Sequence, residues 1–531
     1  MKKLLPPLLM LALAGASAPA AAAPARSPAV AAALKKMSGA GLLGHISALA
    51  SDEFEGRAPG TKGESITVEY LQAQFKRIGL APGNPDGTYL QTVPLLGVRS
   101  TPALSFSTGA RSVALDFPAD YVAWSMRTEE RVALPESELV FVGYGVKAPE
   151  YRWDDYKGVD MRGKTLLMLA NDPPALGAAA TRDDGRWSDK FDMAAKLGAA
   201  GALIVHESQA APYSYETVRN NWSRENFSLQ SDGGNPNLPA LAGWLQLDRA
   251  KDAMRSVGYD FDKLKAAAQS RDFKPVPLGV TSIAHIDNRW REVASHNVVA
   301  KIEGSDPRLK HEYVIYSAHW DHFGIDESLP GSRTRQIYHG AQDNASGVAA
   351  LLELAKAYKA LRVAPKRSIL FVLTTAEERG LLGAQYYVRH PLYPLSKTLL
   401  DINVDGMNLW GRSKVVQLAG FGKPGAGQFE FAKAGVPVLS VGGAREAPDP
   451  RARPNTRSNK WGGKAAISTQ ARVDHYMAHD YMAHEYQKVS DVVQPGWDLR
   501  GALEDLTLLF HAGYDAAQGK QYPQRKARAA Q

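Results

Sequence analysis

Between residues 297 and 408 the chain alternates nearly continuous apolar runs with longer stretches of helical spacing, and this alternation limits its fold more than any other feature. The runs at 298–302, 313–317, 368–374 and 398–404 hold few polar residues, as strands do when both faces are covered. Residues 345–361 and 381–389 have the length and periodicity of helices. Strand, helix and strand in repetition predict an α/β fold with a doubly wound, mostly parallel sheet. In such a sheet, sites form just beyond the carboxyl ends of the strands.

Acidic residues and histidine gather at those ends. His319 and Asp321 follow the second run, two residues apart at a strand end, so their side chains leave one face and Asp321 can orient the imidazole. Asp343 stands immediately before a helix, where it could bridge two cations. Glu377 and Glu378 follow the third run; adjacent residues on an extended chain point apart, so one can ligate while the other accepts a proton. Asp405 follows the fourth.

Singly, each has an ordinary explanation: a hydrogen-bonded core histidine, a solvated glutamate pair, a helix cap. Together they do not. Carboxylates placed after successive buried strands converge in one cleft and repel one another unless a cation lies among them. The chain has no cysteine, so that cation must be held by His, Asp or Glu.

In order along the chain, the motifs SAHWDH, GAQDNASG, TTAEERGLLGAQ and NVDGMN resemble those of the M28 family of zinc aminopeptidases and carboxypeptidases. LASDEFEGRAPGTKG and SHNVVAKIEG are similar to its bacterial members. The resemblance implies two Zn2+ ions, with His319 and Asp405 on one, Asp343 bridging and Glu378 on the other. It also implies Glu377 as general base for a zinc-activated water, Asp321 as support for His319, and a cis peptide between Asp343 and Asn344. Near the end the family carries a Tyr-His pair, the His being the last ligand of the second zinc. Here the segment reads HEYQKVSD, with Gln487 at the His position. Amide oxygen is a poorer zinc ligand than imidazole. Either Gln487 ligates weakly, His484 substitutes, or the second ion is labile.

At 531 residues the chain exceeds the ~250–300 at which one core stops growing. The expected division is a signal peptide at 1–25, a discontinuous peptidase domain at 38–130 and 288–515, an inserted β-rich domain at 131–286 and a basic flexible tail at 516–531. The insert resembles a protease-associated domain through GYGV, DYKGVDMRGKTLLMLAND and AAKLGAAGALIVHE. The first residues run from charged to apolar to small, and the apolar run, interrupted by Pro6 and Pro7, is shorter than the ~20 residues a membrane span needs. The expectation is a cleaved signal, no stable membrane insertion and an exported protein, periplasmic or extracellular. The net charge of +8 includes lysines of the signal and the basic tail, and no basic stripe interleaved with aromatics marks a nucleic-acid surface.

The expected function is zinc-dependent removal of N-terminal residues from peptides. The rivals are an M28-type carboxypeptidase and a non-hydrolytic peptide-binding protein with a weakened second zinc site. Retention of Glu377 and Asp321 speaks against the binder, which needs neither. A one-zinc acyltransferase or cyclase on the same fold is the third rival.

Overall fold

The computed structural model describes residues 27–109, 111–176, 187–208, 213–231, 233–412, 416–419, 429–443, 481–482 and 484–519. The segment expected as a signal and most of the expected tail lie outside them, although helix Arg500–Gln518 runs past the tail's expected start at 516.

The architecture is the expected mixed α/β one, around a large, mostly parallel sheet. Strands Tyr313–His319, Ser368–Thr374 and Thr398–Asn403 are buried along their whole length. Tyr313–His319 lies between the other two and is parallel to both. Val438–Gly443 continues the sheet in parallel beyond Thr398–Asn403. On the other side Ser368–Thr374 pairs antiparallel with Val276–Ile302.

That last strand is 27 residues long, far beyond the expected 298–302. Its earlier part alternates buried and exposed residues and carries Arg289, Arg291 and Glu292, so it lacks the apolar continuity that marks the buried strands. It pairs antiparallel with Leu90–Thr108, from Val298 opposite Leu90 to Thr281 opposite Ser107. It also pairs with Arg131–Phe141, which leads into parallel Thr165–Leu169, Gly201–His206 and Leu241–Gln246. Residues 131–286 therefore supply most of a second half of the same sheet, and the long strand joins the two halves.

Helix Ser346–Lys359 packs Val348, Leu351 and Leu352 into a core with Val314, Tyr316 and Phe371 of the strands and Leu506, Leu509 and Phe510 of helix Arg500–Gln518. Full burial of each such Leu, Val or Phe contributes ~1.5–3 kcal/mol. The helix approaches the end of strand Thr398–Asn403 because residue 347 is glycine: a Cβ there would lie 2.2 Å from Asn344 Oδ1 and 2.5 Å from Val404 O. Asn344 fills the gap, its Oδ1 accepting from the amides of Gly347 and Gly406 and its Nδ2 donating to Val404 O. The loop bearing Asp343 and the one bearing Asp405 are tied together in this way.

The stretch 52–63 contains a short helical segment, Asp52–Arg57, whose last residue is fully buried. Arg57 donates to four carbonyls: Trp320 at 2.9 Å, Leu49 and His339 at 2.6 Å, and Gly340 at 2.9 Å. Burial pulls its pKa down to about 10, opposed by Asp491, Asp321, Asp343 and Glu378, so it stays charged at neutral pH. Arg57→Met leaves these carbonyls and carboxylates without their cation, and urea unfolding should show a loss of ~3–5 kcal/mol. A loss under ~1 kcal/mol would mean that water replaces the guanidinium.

Candidate metal centre

Four strand-end segments meet over the parallel half of the sheet. His319, the last residue of its strand, places Nε2 3.2 Å from Asp343 Oδ1 and 3.3 Å from Asp405 Oδ1. His319, Asp343 and Glu378 each offer a ligand atom, all within 4.8 Å of one another. Asp405 stands at the open side, its side chain 34% exposed against 3% for His319.

Each ligand is held from behind. Asp321 lies with Oδ1 3.7 Å from His319 Nδ1, and its two oxygens accept from the amides of Glu377 and Glu378 at 3.0 and 3.4 Å. One carboxylate thus braces both the imidazole and the glutamate pair. Asp491 accepts from the amides of Gln342 and Asp343 at 2.9 and 3.0 Å, which fixes the turn presenting Asp343. The peptide bond between Asp343 and Asn344 is cis, as the resemblance implies.

The electrostatics show what the arrangement lacks. Burial, reinforced by Asp405 and Asp321 against the opposing pull of His319, pushes Glu377 up to about 8. Glu378 is held well above the carboxylate range by burial and then by Asp343 and Glu377. Burial opposes charge on His319, yet Glu377, Asp321, Asp343 and Asp405 outweigh it and raise its pKa well above the ordinary value. Imidazole nitrogen and carboxylate oxygen are zinc donors, and a cation among these groups relieves the repulsion that raises the glutamates. The residues present fit zinc.

Gln487 reaches the cluster and His484 does not. Gln487, at a positive φ of 55°, donates from Nε2 to Glu378 Oε2 at 2.8 Å and accepts on Oε1 from Asn221 Nδ2 at 2.8 Å. It therefore presents a donor to Glu378, and its oxygen is engaged by a residue of helix Tyr215–Trp222. His484 is exposed, with Ser490 Oγ donating to its backbone carbonyl. His475 and His479, further candidates for the missing ligand, lie outside the described residues.

Sequence reasoning passed over His322 and Asn221. His322 is buried with Nδ1 2.6 Å from Glu378 Oε1, and burial pushes its pKa down to about 3, so it is a neutral ring. Its place in the same SAHWDH string as His319 was the available signal. Asn221 lies 266 residues from Gln487, and nothing local predicts their meeting.

Residues 297–430 match peptidase family M28. A vacuolar membrane protease of Clavispora lusitaniae is 26% identical over 218 residues, 39% of this chain and 18% of that protein. One from Lachancea thermotolerans is 34% identical over 127 residues, 24% of this chain and 11% of that protein. The chain thus spans less than a fifth of the length of these relatives. An aminopeptidase from Aneurinibacillus sp. strain AM-1 shares the fold, with a TM-score of 0.50 and 16% identity over 93% of this chain and all of that one.

The expected periplasmic or extracellular location is overturned by these relatives, whose names place them at the vacuolar membrane. A charged, apolar and small-residue order at the N-terminus carries no information on the final compartment. No helix among the described residues is long and apolar enough to cross a membrane. The family match and the ligand cluster together support a zinc peptidase. The segment 297–430, which contains His319, Asp321, Asp343, Glu377, Glu378 and Asp405, is the part of the chain that matches peptidase family M28.

Proposed function

We propose that the chain is a zinc aminopeptidase that removes N-terminal residues from peptides, with Glu377 as its general base. The observation that carries this reading is the convergence of Asp343 and Asp405 within 3.3 Å of His319 Nε2, with Glu378 beside them. We read His319 and Asp405 as holding one ion, Asp343 as bridging, and Glu378 as holding a second. Bound zinc would supply a Lewis acid for a peptide carbonyl and a lowered pKa for water.

The chain's own residues do the rest. Glu377 takes the proton from the attacking water and passes it to the leaving amine. Its backbone amide is fixed by Asp321, which also faces His319, so base and ligand keep a constant relation. The open carboxylate Asp405 and the half-buried Glu377 give a free N-terminal ammonium a place to bind, which favours an aminopeptidase over a carboxypeptidase. Residues 131–286 serve, in this reading, as a protease-associated insert that closes over the site through Asn221.

Glu377→Gln keeps the shape and cannot accept the proton. The expected outcome is zinc content equal to wild type with turnover lower by ~100 to 10,000-fold. Activity within a few-fold of wild type would assign the base elsewhere.

An ion at Glu378 would be the weaker held, because Gln487 offers it no imidazole. During chelator titration, Gln487→His should retain that ion at ~10-fold higher chelator, while His484→Ala loses it as wild type does. Loss of the second ion on removal of His484 would make that residue the ligand, and equal behaviour of all three proteins would exclude both.

A further inference from the structure

Beside the metal cluster is a cavity of about 220 Å³ that holds more positive than negative charge. Arg99, Arg224 and Arg379 line it, together with Phe323 and the acidic Glu55 and Glu225. Both acids are already engaged. Glu225 receives Arg291 at 2.7 and 3.0 Å, and Glu55 has Arg333 at 3.0 Å and Lys62 at 3.5 Å.

Of the two interior arginines, Arg379 is buried with no such partner among the described residues, and half-buried Arg224 has only a distant one. Arg379 follows Glu378 directly, is 7% exposed and stacks its guanidinium 4.9 Å from the centre of the Phe323 ring. Its one hydrogen bond among the described residues runs from Nη1 to the backbone carbonyl of Asn221 at 2.6 Å, and no described carboxylate comes within 4.0 Å. Arg224 lies over Tyr338 at 4.7 Å, donates from Nε to Asn220 O at 2.9 Å, and has Asp326 Oδ2 3.9 Å from Nε. Its Nη2 is buried with no hydrogen-bond partner among the described residues.

A buried guanidinium such as that of Arg379, with no described carboxylate within ion-pair distance, is costly, and a second one sharing the cavity, held by Asp326 only at 3.9 Å, repels it as well. Arginine presents paired donors that match a carboxylate in a fork. The geometry points to a carboxylate-binding pocket formed by Arg224 and Arg379 next to the metal cluster. It makes the preferred substrate a short peptide that carries a carboxylate close to the cleaved bond. The cavity has room for one such group and a few atoms around it, not for an extended chain. The carboxylate is either the C-terminus of a dipeptide or an Asp or Glu side chain after the cleaved bond. The substrate class rests on the peptidase reading above; the pocket itself does not.

The test uses zinc-loaded full-length protein and matched substrates. Ala-Ala against Ala-Ala-amide isolates the C-terminus, and Ala-Glu-amide against Ala-Gln-amide isolates the side chain. The expected result is a kcat/KM preference of ~10- to 100-fold for the acid in one pair, collapsing toward unity in Arg224→Met and Arg379→Met. Whichever pair shows it names the source. Hydrolysis of all four substrates without preference overturns the pocket and leaves the peptidase standing. If none is hydrolysed the peptidase reading fails, and the pocket is then judged by saturation-transfer NMR of butyrate with butyramide as the uncharged control. Butyrate contact in wild type that is lost in Arg224→Met supports it; no contact, or equal contact in the variant, overturns it. The wild-type ratios decide even if a variant fails to fold.

Discussion

The site is built on a repulsion. Asp321, Asp343, Glu378 and Asp491 are packed where water cannot screen them, with half-buried Glu377 beside them, and burial with mutual charge drives Glu377, Glu378 and Asp491 toward protonation. Such a cluster persists only if something positive lies within it. Arg57 supplies part of that from below, charged at neutral pH and acting on Asp491, Asp321, Asp343 and Glu378. The rest falls to His319 and to the cation that the donor set fits. The backbone ties follow the same logic. Asp321 and Asp491 accept amides from the loops that carry the glutamates and Asp343, so the groups that repel are fixed at their bases.

The second half of the sheet reaches this cluster through a few polar contacts. Asn221 donates from Nδ2 to Gln487 Oε1, and its backbone carbonyl accepts from Arg379 Nη1. One residue of helix Tyr215–Trp222 therefore touches both neighbours of Glu378, the next in sequence and the amide that donates to it. Any movement of residues 213–231 relative to the parallel strands changes the surroundings of Glu378 before it changes those of His319.

The parallel strands and the ends that carry His319, Asp343, Glu378 and Asp405 are legible because they obey local rules: continuous apolar runs, helical spacing, and acids or histidine near where a strand stops. Each is written in a few consecutive residues. The long strand Val276–Ile302 was legible only in its last residues, because its earlier part is stabilised by pairing with Leu90–Thr108 and faces solvent on alternate positions. Arg57 carries no local signal of its role because its four acceptors come from Leu49, Trp320 and the 339–340 turn, far apart in sequence. Asn221 and the buried arginines were invisible for the same reason. Compartment was misread because a general N-terminal pattern was given a specific destination.

Gln487 makes chemical sense once its neighbours are counted. An imidazole in its place would add a ligand but would give up the amide that donates to Glu378 Oε2. His322 already faces Oε1 at 2.6 Å, so in the present arrangement both oxygens of Glu378 are engaged by neutral groups. Neutral partners soften the repulsion around Glu378 without adding charge, and they compete with a cation for its lone pairs. A cation held by His319 and Asp405 would meet no such competition, since the close partners of His319 Nε2 are carboxylates that a cation can share. On the proposed two-ion reading, a strong and a weak position would follow from Gln487 alone, with the weak one adjoining the residues that Asn221 contacts.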